Sequence, residues 1–233
     1  SSLGAMAAAA GAGGLPVLFS YFRSSCSYRV RIALAHKGVE YTTHAVNLLK
    51  SEHKRPEFLE LNPLGLVPAL QIDGHCLSQS SAVLEYLEET RPTKPLLPGS
   101  PAERACVRSL CQAIYADTQP VQNLSVMNHV ATLVGRDSVK KEWALHYIRR
   151  GLSAVEAAVV SSGGAFCVGD EFSMADVCLV PQVYNGMRFG VDLATEFPKI
   201  AAVYARTLEL EAVRQAHPHA QPDCPEDLRG QFV

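Results

Sequence analysis

The sequence predicts an α/β N-terminal domain joined to an all-α C-terminal domain, and three observations carry that prediction. Up to about residue 90, short β-rich apolar runs alternate with helical stretches. A stretch reading "RPTKPLLPGSP" then places Pro92, Pro95, Pro98 and Pro101 in close succession, the composition of a stiff linker. Beyond it the apolar spacing becomes helical and stays so. The expected boundaries are an α/β domain over 15–90, a linker over 91–100 and an all-helical domain over 101–233, with 1–14 as a flexible N-terminal segment.

Each element has a local reason. Residues 17–22, "VLFSYF", form a short β-rich run. A helical stretch follows, with Val30, Ala33, Leu34 and Lys37 at helical spacing, and it ends on Lys37-Gly38, a basic last turn and a C′ glycine. "YTTHAV" (41–46) alternates as a second strand, so the first unit is β-α-β with parallel pairing. "KRPEFLELN" (54–62) is a short helix stopped by Pro63. Residues 67–72 and 75–78 flank Asp73-Gly74, the signature of a two-residue hairpin. "SAVLEYLEE" closes the unit as a helix with Val83, Leu84 and Leu87 on one face. This order is a thioredoxin-like arrangement. In the second domain, Ser100-Pro101-Ala102-Glu103 is a capping box with proline at the first helical position. Val107, Leu110, Cys111 and Ile114 continue it as an apolar stripe, and later helices are expected near Asp137, Ser173 and Pro198.

Composition narrows the function classes. A formal net charge of -2 offers no basic excess for nucleic acid. No run of eighteen apolar residues exists to span a membrane. The N-terminal tract lacks the basic and bulky regions of a secretory signal. Seven cysteines without disulfide-like spacing then point to reduced thiols and a cytoplasmic setting.

The chemistry concentrates at "FRSSCSYRVRIALAHKG" (22–38), where Cys26 falls at a strand-to-helix junction. A dithiol enzyme needs a second thiol three residues on, and that position is Arg29. Monothiol chemistry stays open, since a helix start lowers a thiol pKa. Ser24, Ser25 and Ser27 supply hydroxyls around Cys26, and Arg29 and Arg31 add positive charge, a setting suited to an anion. The serines could equally cap the helix, and spacing alone leaves both readings standing. Val67-Pro68 is either a cis peptide that turns the Val67 backbone toward an extended ligand or a trans proline at a strand edge. Gln79 and Ser80 open another helix, either welcoming a carboxylate or simply capping. Ser173 and Asp176 form a capping box and are read as structural. His217, His219 and Cys224 are read as a mobile loop, with no second ligand pair to make a metal site.

Taken together these stretches resemble the glutathione transferases. "SSCSYRVRIAL" is similar to the signature of the zeta class, the family of maleylacetoacetate isomerases, with Tyr28 where that class has tryptophan. The resemblance continues through "LNPLGLVPAL", "QSSAVLEYLEE", "QPVQNLSV", "VGDEFSMADVCLVPQVYN" and "HPHAQPD". It implies the glutathione transferase fold, glutathione as cofactor and a homodimer. It also implies cis–trans isomerisation of maleylacetoacetate to fumarylacetoacetate, a step of tyrosine and phenylalanine breakdown, with a side activity on small α-halo acids.

The implied roles fall on particular residues. Ser24, Ser25 and Cys26 lie at the glutathione sulfur, a serine hydroxyl holding the thiolate and Cys26 standing beside it, with Ser27, Tyr28 and Arg29 completing that end. The Val67 backbone before Pro68 pairs with the cysteinyl part, Gln79 and Ser80 hold the γ-glutamyl end, and His53 meets the glycyl end. Gln119, Asn123, Leu124 and Ser125 complete the pocket from the helical domain. Arg188, with Arg29, clamps a substrate carboxylate. Two rivals remain: a thiol transferase in which Cys26 attacks a mixed disulfide, and a non-catalytic binding module of the same fold.

Overall fold

A computed structural model describes residues 14–162 and 164–231. The stretch 1–14, expected to be flexible, lies outside the described residues except for Gly14. The chain divides into two units, one formed by the residues up to Lys94 together with those from Glu211 onward, the other by Pro95–Leu210.

In the first unit a four-stranded sheet has the order β2-β1-β3-β4, from β1 (Val17–Ser20), β2 (Thr42–Ala45), β3 (Ala69–Ile72) and β4 (His75–Ser78). Strand β1 is buried along its length, as a central strand with an apolar run must be. It pairs parallel with β2, Val17 opposite Thr42, and antiparallel with β3, Leu18 opposite Leu70. Asp73 and Gly74 both have positive φ (51° and 79°), the backbone that a two-residue hairpin between β3 and β4 requires.

Helix α1 (Ser25–Lys37) follows β1 directly. The Ser24 hydroxyl accepts from the Ser27 N–H at 3.1 Å, and Gly38, at φ 69°, closes the other end. Residues 27–34 are all buried, so α1 has no solvent face over that length. It packs against α3 (Ser80–Thr90) and against α10 (Glu211–Ala216) near the end of the chain. At its C-terminus Lys37 reaches Glu88 at 2.8 Å and the Arg91 carbonyl at 2.8 Å, so residues expected to be linker hold on to α1. A short α2 (Pro56–Leu61) lies between β2 and β3 and buries Phe58.

The sequence expectation carried the helical domain to residue 233, but the structure folds 211–231 onto the α/β unit. Asp223 accepts from the Phe22 N–H at 2.8 Å. The Tyr28 hydroxyl donates to the Val213 carbonyl at 3.4 Å, and Arg31 Nε to the Ala216 carbonyl at 2.9 Å. Cys224 joins a core of Val17, Phe19, Tyr21, Phe22, Val46, Phe58 and Val67. The mobile loop expected at His217, His219 and Cys224 is therefore a buried clasp. Gln221 donates to the carbonyls of His217 and Gln215, both at 3.0 Å, and the His217 ring packs edge-on against Tyr28. Among the described residues no group of three or more His, Cys, Asp or Glu could hold a metal ion.

The second unit is helical: α4 (Pro101–Tyr115), α5 (Leu124–Val134), α6 (Val139–Ser162), α7 (Met174–Phe189), α8 (Leu193–Glu196) and α9 (Pro198–Leu208). The Ser100–Glu103 box caps α4. Helix α7 is its core, buried without a break from Met174 to Tyr184, and it packs on α4, α6 and α9. Gly151 lets α6 approach the Thr118 side chain, because a Cβ at that position would collide with it. No helix among the described residues is long and apolar enough to cross a membrane.

The N-terminus of α7 depends on one buried carboxylate. Asp176 accepts from the N–H groups of Cys167 (2.9 Å) and Ser173 (2.8 Å) and from the Ser173 hydroxyl (2.9 Å). Burial pushes its pKa up, and the Cys167 thiol together with those three donors acts against the rise. Replacing Asp176 with alanine orphans three buried donors at once, and urea unfolding should show a loss of about 3 kcal/mol. Ser173→Ala should cost about 1 kcal/mol.

His217 makes the clasp sensitive to acid. Burial, and then the charges of His219 and Arg31, lower its pKa from 6.5 to about 4. The unfolded chain therefore takes up a proton near pH 6.5 that the folded protein refuses until about pH 4. The resulting stability is complete above pH 6.5 and is lost as pH falls toward 4, a total on the order of 3 kcal/mol. Urea midpoints at pH 7.5 and 4.5 should converge in His217→Gln relative to the wild-type protein.

Candidate active site

Two helix starts meet at one end of the first unit, and Arg29 joins them. Its Nη1 donates to the Ser80 hydroxyl at 3.1 Å and lies 3.8 Å from the Cys26 sulfur. Arg29 is 1% exposed, so the charge acts from behind these groups. Helix starts leave their first N–H groups without intrahelical partners. Here the Ser24 side chain satisfies Ser27, which leaves the N–H groups of Ser25 and Cys26 pointing out of the helix start. Ser24, Ser25 and Cys26 are half-buried. The Ser24 hydroxyl is occupied as a cap, whereas the Ser25 hydroxyl has no partner among the described residues. The cap reading thus holds for Ser24, while the Ser25 hydroxyl is left open.

At the second helix start Gln79 has φ 69° and ψ 114°, a region that non-glycine residues avoid at a cost of about 1–3 kcal/mol. Its side chain is exposed and caps nothing. Strain of this kind persists where the surroundings over-determine the backbone, and such residues cluster at ligand sites. Ser80 behind it is buried against Arg29. The Val67-Pro68 bond is cis, and Val67 stands just outside the ladder, whose register begins at Ala69.

The loop leading to Val67 is fixed by Asn62, whose amide donates to the Leu66 carbonyl at 2.6 Å and accepts from the Leu64 N–H at 3.2 Å. His53 lies in the turn Glu52–Lys54, half-buried, its pKa lowered by burial and by Lys54. A Cβ on Gly65 (φ 60°) would come within 3.0 Å of the His53 carbonyl, so these two stretches pack closely. Ser27 and Tyr28 face inward. Ser27 is fully buried, and Tyr28 supports the clasp through Val213 and His217.

The remaining predicted residues belong to the helical unit. Gln119 precedes the turn Pro120–Gln122, Asn123 caps α5, and Leu124 and Ser125 begin that helix with exposed side chains. Arg188 is exposed in the last turn of α7, 3.1 Å from Asn185 Oδ1 and with its guanidinium carbon 5.9 Å from the centre of the Tyr184 ring. Gln122, Gln182 and Asn185, joined by side-chain hydrogen bonds beside Arg188, escaped sequence reading. The one available signal was spacing, since Gln182, Asn185 and Arg188 recur every third residue on one helix.

An anion-ready helix start on a thioredoxin-like sheet, followed by a helical unit, defines a class, and comparison with known proteins agrees. Residues 17–89 match the family model described as Glutathione S-transferase, N-terminal domain, and residues 125–215 match its C-terminal domain. The chain belongs to the glutathione S-transferase family. It is 50% identical over 218 residues to the maleylacetoacetate isomerase of Mus musculus, covering 93% of this chain and 98% of that one. A holo structure of maleyl pyruvate isomerase, a bacterial transferase of the zeta class, superposes with a TM-score of 0.87 at 41% identity, covering 90% of this chain and all (100%) of that one. The maleylacetoacetate isomerase of Methylobacterium extorquens AM1, solved with bound malonate and GSH, gives 0.86 at 38% identity, over 90% and 99% of the two chains. Within the family, the zeta class is the one this chain joins.

Proposed function

We propose that this protein uses glutathione to isomerise the cis double bond of maleylacetoacetate, giving fumarylacetoacetate. The observation that carries the reading is the half-buried helix start at 24–26, backed by the buried Arg29 cation and lacking a resolving thiol. Relatives named for this reaction, at about half identity over nearly the whole chain, support it.

The residues fit the cofactor. A thiolate needs donors, and the Ser25 hydroxyl together with the N–H groups of Ser25 and Cys26 supplies them. Bound glutathione supplies a sulfur nucleophile that adds to the conjugated double bond and departs after rotation, so the tripeptide is regenerated. An ordinary thiol, with a pKa of about 8.5, is only a few per cent ionised at neutral pH. Ser25 donates to the sulfur and Arg29 adds positive charge behind it. Both favour the ionised form. Ser24 holds the helix start in shape, and Cys26 lends polarity without forming the main bond. Within the first unit, Gln79 and Ser80 would take the γ-glutamyl end, the Val67 backbone the cysteinyl part and His53 the glycyl end.

Arg29 is committed to Ser80 inside the unit, so the exposed Arg188 is the substrate clamp. Malonate in a related isomerase structure is in keeping with a carboxylate-bearing substrate. The same arrangement suits attack on small α-halo acids. A homodimer working in the cytoplasm belongs to this reading.

The test is isomerisation of maleylacetone with and without glutathione. Ser25→Ala should lower kcat/KM about 100-fold, the size of losing one transition-state donor. Cys26→Ala should stay within about 10-fold of wild type. The reverse pattern, with Cys26→Ala inactive and Ser25→Ala intact, would transfer the assignment to a thiol transferase.

A further inference from the structure

A chain of four side chains runs through the helical unit, and its polarity is uniform. Arg188 Nη1 donates to Asn185 Oδ1 at 3.1 Å. Asn185 Nδ2 donates to Gln122 Oε1 at 2.6 Å, and Gln122 Nε2 donates to Gln182 Oε1 at 3.3 Å. Gln122 and Gln182 are buried, and Asn185 is half-buried. Amides sunk in an apolar core are costly unless paired. Each of the two middle amides here accepts on its oxygen and donates from its nitrogen, so flipping either would set donor against donor.

We propose that Asn185 and Gln122 are positioning residues that aim the guanidinium of Arg188 at a substrate carboxylate. An exposed arginine samples many rotamers, and a carboxylate is bound well only by a fork in one orientation. Asn185 takes one corner of that fork, and the Tyr184 ring lies beside it. Asn185 is in turn held by Gln122, whose turn (Pro120–Gln122) is flanked by Gln119 and Asn123. One hydrogen-bonded frame thereby ties the carboxylate clamp to the turn flanked by Gln119 and Asn123. The inference rests on the proposed role of Arg188.

The experiment measures KM and kcat for maleylacetone, and the dissociation constant of malonate by calorimetry, in four variants. Asn185→Ala should raise KM and weaken malonate about 10-fold, the size of one hydrogen bond to a charged group, with kcat within about 3-fold. Asn185→Asp keeps the acceptor but places a carboxylate against the guanidinium, so it should weaken malonate at least as much. Gln122→Met, which preserves shape, should act in the same direction and serves if the alanine variant fails to fold. Arg188→Ala should exceed all three. If Arg188→Ala raises KM while both Asn185 variants and Gln122→Met leave it unchanged, positioning is refuted and the clamp stands. A fall in thermal stability or kcat at constant KM in those variants would make the chain merely structural, and that too refutes it. An unchanged KM in Arg188→Ala would overturn the clamp itself.

Discussion

Two buried arginines on α1 have to be satisfied, and much of the α/β unit is arranged around that requirement. Arg29 and Arg31 stand two residues apart, which on a helix sends side chains to nearly opposite faces. One face meets α3, where Arg29 reaches Ser80. The other meets the C-terminal clasp, where Arg31 donates to the carbonyls of Ala216 and Phe22 and to the Ser20 hydroxyl, at 2.9, 3.0 and 3.1 Å. A buried cation stripped of such acceptors is strongly destabilising. The acceptors come from β1, the loop before α1, the start of α3 and the end of the chain. Those are the pieces that frame the helix start at 24–26.

The same helix start reconciles stability with chemistry. A cap hydroxyl spent on the helix is less available to a ligand, so a single serine would have to serve two ends. With Ser24 and Ser25 adjacent, one closes the helix and the other remains open. In the helical unit an equivalent division holds at α7. Its N-terminus, capped by Asp176, is purely architectural, while its C-terminal turn carries the exposed Arg188.

Local features were legible in the sequence because their causes are local. The Asp73-Gly74 hairpin, the C′ Gly38, the capping boxes at Ser100 and Ser173, and the helix starts near Pro198 and Asp137 all follow from residues a few positions apart. The Ser-Ser-Cys segment was legible as a helix start for the same reason. The clasp was not. Tyr28 and Val213 are 185 positions apart and Phe22 and Asp223 are 201, and pairings at such separation leave no periodic trace. A polar, proline-broken stretch such as "HPHAQPD" has the composition of a loop, and only a partner surface reveals that it is buried. The amide chain through Gln122 and Asn185 was hidden likewise, because residues on a turn and a helix were joined by tertiary approach alone.

The clasp also sets a timetable for synthesis. Strand β1 and helix α1 leave the ribosome early, yet the carbonyl that Arg31 needs belongs to Ala216. Arg31 and Ala216 are 185 positions apart, which at about 10 residues per second is on the order of twenty seconds. Throughout that interval the nascent α/β unit lacks the Ala216 carbonyl, one of the three acceptors of Arg31. The helix start at 24–26 is thus translated well before the residues that complete its frame.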